Sequence, residues 1–263
     1  MRVVSLTCSN TEIVCALGAA GALVGVDDHS DYPVDVVARL PRVGPDLSVD
    51  PKAVAALRPD LVLASLTVPG HERVLQALVA EGLPVEVFEP KSVDDVYADV
   101  ARIGALLGRA ERALALVTEM RAVLDQRPVS VSRPRVLVEW WPRPVIVPGE
   151  RSWVTQQLLA AGGSNPMGSR PVESSPIHDE EALALRPDAV VISWCGVPPA
   201  KYRPEVVYRR AAWRDLPALQ GGHVYCIPEA FLGRPGPRLV DGVRALAEVV
   251  ARVQASAAEA GGR

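Results

Sequence analysis

No stretch of this 263-residue sequence stays apolar for the length of a bilayer, which leaves no candidate for a membrane-spanning helix. Neither sign of charge dominates. The 28 basic and 31 acidic side chains are interspersed, for a net charge of −3, so there is no basic stripe for nucleic acid and no polybasic patch for a membrane surface. Small-molecule or protein partners are favoured, and the chain is expected to be a monomer. The four cysteines, Cys8, Cys15, Cys195 and Cys226, show no CxxC or other metal-ligand spacing. They read as free thiols, buried or facing a ligand, or as a single disulfide. There is no GxSxG elbow, no HExxH pair among His29, His71, His178 and His223, and no GxxxxGK[ST] loop. With no paired acid and base in view, the chain reads as a binding protein and not an enzyme. Met1-Arg2 runs straight into a core-like segment without the charged, apolar and small-residue succession of a secretion signal. As written it is expected to be cytoplasmic, or extracytoplasmic if a leader has been removed.

What the sequence does have is a repeated phrase. Leu57-Arg58-Pro59-Asp60-Leu61-Val62-Leu63-Ala64-Ser65 and Leu185-Arg186-Pro187-Asp188-Ala189-Val190-Val191-Ile192-Ser193 are identical at six of nine positions. Each reads as a helix end, a Pro-marked turn and a short buried strand. Upstream, Arg2-Val3-Val4-Ser5-Leu6 opens the first half as Arg135-Val136-Leu137-Val138-Glu139 opens the second. Two similar lobes imply a cleft between them, and a ligand site is sought there.

Further strands are predicted at 23–26, 85–88, 145–147 and 224–227, beside those at 3–6, 61–64, 136–139 and 189–193. Most are continuous apolar runs, the pattern of parallel strands covered on both faces. Helical patterns alternate with them at 11–17, 51–57, 71–81, 93–107, 153–161, 180–185 and 239–253, so the fold class is α/β with right-handed crossovers. Residues 92–128 carry almost no strand signal. There Ala113, Leu116, Val117, Met120 and Leu124 recur at spacings of three and four along 109–126, which predicts a helix joining an N-terminal α/β lobe (1–91) to a C-terminal one (129–263). A helical connector predicts only a small closure on ligand binding. Residues 255–263, small and polar, are expected to fray.

Candidate binding residues follow the predicted strands. Ser9 and Asn10 are read as the N-cap of the first helix, offering backbone N–H groups to a ligand from the carboxyl edge of the sheet. His29 and Tyr32 follow the second strand within Asp27-Asp28-His29-Ser30-Asp31-Tyr32-Pro33. Trp140, Trp141, Trp194 and Phe231 follow strands of the second lobe and would stack on a large flat ligand, although one of the adjacent pair Trp140/Trp141 should face the core. Trp153 and Trp213 read as core. In the stiff loop Phe231-Leu232-Gly233-Arg234-Pro235-Gly236-Pro237-Arg238, an arginine can donate to carboxylate, phosphate or amide oxygens.

The stretch from Arg2 through Asn10-Thr11-Glu12, then Leu23-Val24-Gly25-Val26, Ser30-Asp31-Tyr32-Pro33, the two Arg-Pro-Asp phrases, Gly162-Gly163-Ser164-Asn165 and Arg234-x-Gly236-Pro237-Arg238, resembles the class III substrate-binding proteins of ABC importers. Among these it is most similar to the vitamin B12-binding members. The resemblance implies two Rossmann-like lobes with parallel sheets joined by one long helix, a cobalamin-like corrinoid held in the interlobe cleft, and an ABC permease as partner. A siderophore or haem binder of the same fold is the alternative. By position it implies Ser9, Asn10, His29, Trp140 or Trp141, and Arg234 as ligand-binding residues; Tyr32, Ser65, Leu66, Trp194 and Phe231, and both members of the Trp140/Trp141 pair, are further candidates. Asp46, Ser65 and Ser174 stand where relatives place cleft tryptophans. His29, in place of an aromatic, is a candidate ligand for the cobalt of the corrinoid; no other cofactor is implied. Docking on the transporter would use Glu180 in the second lobe and Asp50 in the first, where Lys52 holds the matching place. The family disulfide is missing, since Ala161 replaces one of its cysteines.

Overall fold

Four short apolar runs make the first sheet. In this computed structural model, which describes residues 1–129 and 132–261, they are β1 (Val3–Ser5), β2 (Leu23–Val26), β3 (Leu61–Ser65) and β4 (Val85–Phe88), in the order β2-β1-β3-β4. Every pairing is parallel. Strands β1 and β3 are buried over their whole length, the reason they lack alternation. Helices α1 (Cys8–Ala16), α2 (Val34–Val37), α3 (Pro51–Ala56) and α4 (His71–Ala80) connect the strands. Val4, Leu6, Val54, Val62, Ala64 and Leu78 form one apolar cluster among them.

Two longer helices follow, α5 (Val93–Leu106) and α6 (Ala110–Leu124). They pack so tightly at Gly104 that a Cβ there would stand 2.4 Å from that of Ala113. By internal contacts the chain divides into two units, Met1–Pro90 with Asp94–Glu119, and Lys91–Val93 with the chain from Met120 onward. The boundary falls inside α6. Its buried residues, Ala113, Leu116, Met120 and Leu124, keep the three-and-four spacing read from the sequence.

In the second unit, β5 (Val136–Glu139), β9 (Ala189–Ile192) and β10 (Val224–Cys226) form a parallel sheet in the order β10-β9-β5. A second sheet was not foreseen: β6 (Trp141–Pro142), β7 (Val145–Pro148) and β8 (Ser174–Ile177) pair antiparallel. It adds to the parallel sheets, whose strands the sequence pattern expects. The helices are α7 (Trp153–Ala160), α8 (Asp179–Leu185), α9 (Glu205–Tyr208), α10 (Pro217–Gln220), α11 (Glu229–Leu232) and α12 (Leu239–Gly261). Helix α12 packs on α7 and α11, burying Leu246, Val249, Val250 and Val253. It continues to Gly261, so residues 255–261 are helical where fraying was expected; residues 262 and 263 lie outside the described residues.

The two repeated phrases build the same local structure. Asp60 Oδ2 accepts the Arg2 N–H at 2.6 Å, and Asp188 Oδ2 accepts the Arg135 N–H at 2.7 Å. In return Arg2 O accepts the Asp60 N–H, and Arg135 O the Asp188 N–H, both at 2.8 Å. Arg58 and Arg186 adopt positive φ, +48° and +42°, closing the helix before each phrase. Each Arg-Pro-Asp thus locks the start of one central strand to the next.

Candidate functional site

The carboxyl ends of β1, β2 and β3 lie along one edge of the first sheet, because all its strands are parallel. Helix α1 starts at this edge, three residues earlier than the sequence suggested. Its N-cap is Thr7, with no side-chain capping bond, and Ser9 and Asn10 sit in the first turn instead of capping it. Side-chain bonds elsewhere explain the difference. Asn10 Nδ2 donates to Ala64 O at 3.3 Å, tying α1 to β3, and Thr11 Oγ1 bridges Ser5 and Ser30 at 2.9 Å each. Both Ser9 and Asn10 are buried. The first backbone N–H groups of any helix lack intrahelical acceptors, and here they sit at the sheet edge.

His29 occupies a turn fixed from several sides. Its N–H donates to Asp27 Oδ2 at 3.0 Å, its carbonyl accepts from Cys8 Sγ at 2.9 Å, and Ser30 Oγ donates to Asp27 Oδ1 at 2.5 Å. The Arg42 guanidinium donates to the carbonyls of Asp27, Ser30 and Val37. Asp27 is fully buried, and burial pushes its carboxyl above the usual carboxylate range against the opposing pull of the Ser30 and His29 hydrogen bonds. The His29 ring stands out of this turn with its side chain 53% exposed.

Two residues that sequence reasoning had not joined approach it. Asp46 Oδ1 lies 3.5 Å from His29 Nε2, and Asp46 Oδ2 lies 3.5 Å from His71 Nε2. Asp46 follows a tight turn at Gly44 (φ +105°), where a Cβ would meet Ser48 O at 2.9 Å. His71 is the first residue of α4 and 4% exposed; its Nδ1 has no hydrogen-bond partner, and its Nε2 has only the long 3.5 Å contact to Asp46. The Asp46 carboxyl is held below the usual range, chiefly by His71, although partial burial opposes this. Among the described residues no three His, Cys, Asp or Glu side chains are grouped to hold a metal ion. A carboxylate between two imidazoles is what the structure builds.

Three large side chains near these residues in sequence are exposed. Tyr32, Leu47 and Val68 are 45%, 50% and 38% exposed, each within three residues of His29, Asp46 or His71. Leu47 Cδ2 lies 3.2 Å from the point a Cβ of Gly70 would take, so it reaches the start of α4. Ser65 is buried with its Oγ 2.9 Å from Thr67 Oγ1, and the Leu66 N–H is bonded to Phe88 O.

In the second unit the tryptophans divide. Trp141, on β6, is 41% exposed, with its Nε1 donating to Arg143 O at 3.1 Å. Trp140 is half-buried against Trp153, ring centroids 6.1 Å apart. Trp194 corrects the sequence reading, which had it stacking on a ligand. It is 6% exposed within the apolar cluster around Leu137 and Trp213, and its Nε1 donates to Glu139 Oε1 at 2.9 Å. Glu139 itself, fully buried, accepts two bonds from Arg210 at 2.5 and 2.9 Å. Neither Glu139 nor Arg210 was singled out from the sequence as charged core. Phe231 lies in α11 and not in a loop, with Arg238 5.7 Å over its ring. Arg234 is ion-paired with Glu229 at 3.1 Å. None of the four cysteines is in a disulfide.

Of the docking residues, Glu180 is exposed in the first turn of α8. Asp50 is the N-cap of α3 and accepts the Lys52 N–H at 2.9 Å. No helix among the described residues is long and apolar enough to cross a membrane.

Residues 3–231 match the family model described as periplasmic binding protein. The chain belongs to that family. Members are substrate-binding proteins of ABC transporters and not enzymes. Relatives of this periplasmic binding protein include the uncharacterized ABC transporter substrate-binding lipoprotein YvrC of Bacillus subtilis (strain 168), 30% identical over 258 residues, covering 95% of this chain and 79% of that one. A vitamin B12-binding protein of Vibrio vulnificus (strain YJ016) is 24% identical over 266 residues, covering 96% and 91%. Among solved structures, a periplasmic heme-binding protein from Pseudomonas aeruginosa superposes with a TM-score of 0.80 at 28% identity, covering 95% of this chain and 92% of that one. The periplasmic binding protein fold, α/β with parallel sheets, is the one read from the sequence.

Proposed function

We propose that this chain binds a cobalamin-like corrinoid and delivers it to an ABC permease. The observation that carries the reading is the carboxyl edge of the first sheet, where the exposed imidazole of His29 is joined through Asp46 to His71, and the exposed side chains of Tyr32, Leu47 and Val68 lie within three residues of one of these three. A broad apolar plane with a metal at its centre is the complement of that surface. Imidazole nitrogen is a good ligand for cobalt or iron.

Charge favours a corrinoid over the alternatives. The carboxylates close to His29 in sequence or space include Asp27, Asp28, Asp31 and Asp46, and Arg42 is committed to three carbonyls. An anionic ferric chelate gains little there, whereas a corrin rim of neutral amides is tolerated. Haem is the second reading, favoured by the 28%-identical heme-binding structure. Location outside the cytoplasm is supported by the lipoprotein relative in Bacillus subtilis. Glu180, exposed at the start of α8, is the proposed docking carboxylate of the second unit; Asp50, already accepting a backbone N–H, is the weaker candidate of the first.

Isothermal titration of the purified protein with cyanocobalamin, haemin and a ferric hydroxamate tests this. Saturable one-to-one binding of cyanocobalamin alone is the expected result. Binding of haemin alone moves the assignment to the second reading, and binding of the hydroxamate alone rejects both.

A further inference from the structure

His71 is an oddity of the first unit. It is a buried imidazole whose ring nitrogens make no hydrogen bond of ordinary geometry, the long contact of Nε2 to Asp46 Oδ2 at 3.5 Å aside, and such burial is costly. A leucine of similar bulk would incur no such cost. What the imidazole adds is a polar edge against Asp46, whose other carboxylate oxygen faces His29 at the same 3.5 Å.

The three side chains form a chain of decreasing burial: His71 at 4% exposed, Asp46 at 27%, His29 at 53%. Each is set by a rigid backbone. His71 opens α4 directly after Gly70, whose φ of +107° turns the chain into the helix. Asp46 is placed by the Gly44 turn, closed by the Ser48 N–H to Pro45 O and the Asp50 N–H to Val43 O bonds, both 2.9 Å. His29 is pinned through its own N–H and carbonyl. The array therefore exists before any ligand arrives.

We propose that Asp46, braced from behind by His71, is a positioning residue that holds His29 by Nε2 and so presents Nδ1 to the metal of a bound tetrapyrrole. The inference rests on the tetrapyrrole reading above. A carboxylate on the far N–H of a ligating imidazole fixes its tautomer and ring orientation and raises its basicity. Contacts of 3.5 Å are longer than hydrogen bonds, and they tighten when the metal draws electron density from the ring. Asp27 and Asp28, on the same turn as His29, do not substitute. Asp27 already accepts from the His29 N–H and the Ser30 hydroxyl, and the Asp28 N–H is tied to Gly44 O.

The test uses the full chain with haemin and diaquocobinamide, a corrinoid without a nitrogenous base of its own, as probes, read by absorption spectra, by electron paramagnetic resonance of the ferric haem and of the cobinamide reduced to cobalt(II), and by the midpoint potential of the bound metal. The wild type is expected to give a nitrogen-ligated spectrum that His29→Ala loses. Asp46→Asn should weaken probe affinity by about 10–100-fold, give a mixed spectrum and raise the midpoint potential, with Asp46→Glu restoring part of each. His71→Asn should move in the same direction by less. Circular dichroism melts of each variant separate these effects from unfolding. If the wild type is nitrogen-ligated and Asp46→Asn matches it in spectrum, potential and affinity, positioning by Asp46 is wrong while the tetrapyrrole reading stands. A bound probe without nitrogen ligation overturns the inference through His29. Failure of both probes to bind overturns the tetrapyrrole reading, and the inference with it.

Discussion

Three parallel strands of each unit share a frame, β1-β3-β4 in the first and β5-β9-β10 in the second. Val3 pairs with Leu61 as Val136 pairs with Ala189, and Val62 with Val85 as Val190 with Val224. Aligned on that register, Leu6 at the carboxyl end of β1 corresponds to Glu139 at the end of β5. Leu6 is an ordinary core residue, 3% exposed. Glu139 is a fully buried charge with Arg210 and Trp194 as partners. Beyond that point the first unit enters α1, and the second enters an antiparallel sheet. The frame is thus common, and what emerges from the strand ends is where the units differ.

The largest expected effect tests the point of divergence. Glu139→Ala leaves the Arg210 guanidinium, 14% exposed, without its carboxylate and should cost about 3–5 kcal/mol in urea unfolding. Combining Glu139→Leu with Arg210→Met makes the second unit resemble the first at this position and should recover most of that loss. A double variant as unstable as the single one would show that the ion pair is not what separates the two frames.

Next come the shared parts. Asp60→Ala and Asp188→Ala each remove a carboxylate acceptor from a strand-opening N–H and should each cost about 1–2 kcal/mol. Equal losses support two copies of one device, and a difference larger than either loss breaks the equivalence.

The smallest effect concerns an acid of the first unit whose burial has a different consequence. Burial, helped by the charge of Asp95, pushes the Asp99 carboxyl up to about 7. Its unfolded value is about 3.9, so the folded state binds more protons between those values and stability falls as pH rises through that window. Asp99→Asn should remove this slope and be more stable than wild type at pH 8 by about 1 kcal/mol, allowing for solvent screening at a part-exposed site. Parallel pH profiles for the two proteins would reject the assignment.

The parallel sheets were legible because their strands are uninterrupted apolar runs that two-sided burial demands. The antiparallel sheet was not. Ser174-Ser175-Pro176-Ile177 is mostly exposed and carries a proline, and Trp141–Pro142 is only two residues long. Candidate residues at strand ends were legible from topology, since a parallel sheet gathers its carboxyl ends at one edge. Their side-chain partners were not. Trp194 looked available because it follows a strand, yet Glu139, 55 residues away, draws its indole N–H into the core. Asp46 and His71, 25 positions apart, meet through the turns at Gly44 and Gly70, a pairing that no periodicity encodes.

All five tryptophans, Trp140, Trp141, Trp153, Trp194 and Trp213, belong to the second unit. Indole emission is therefore a spectroscopic tag on that unit alone, while far-ultraviolet ellipticity samples the helices of both. Two denaturation curves recorded on one sample, one by each signal, ask whether the shared frame also means shared cooperativity. Coincident midpoints mean that the units melt as one, and separated midpoints give each its own stability without cutting the chain.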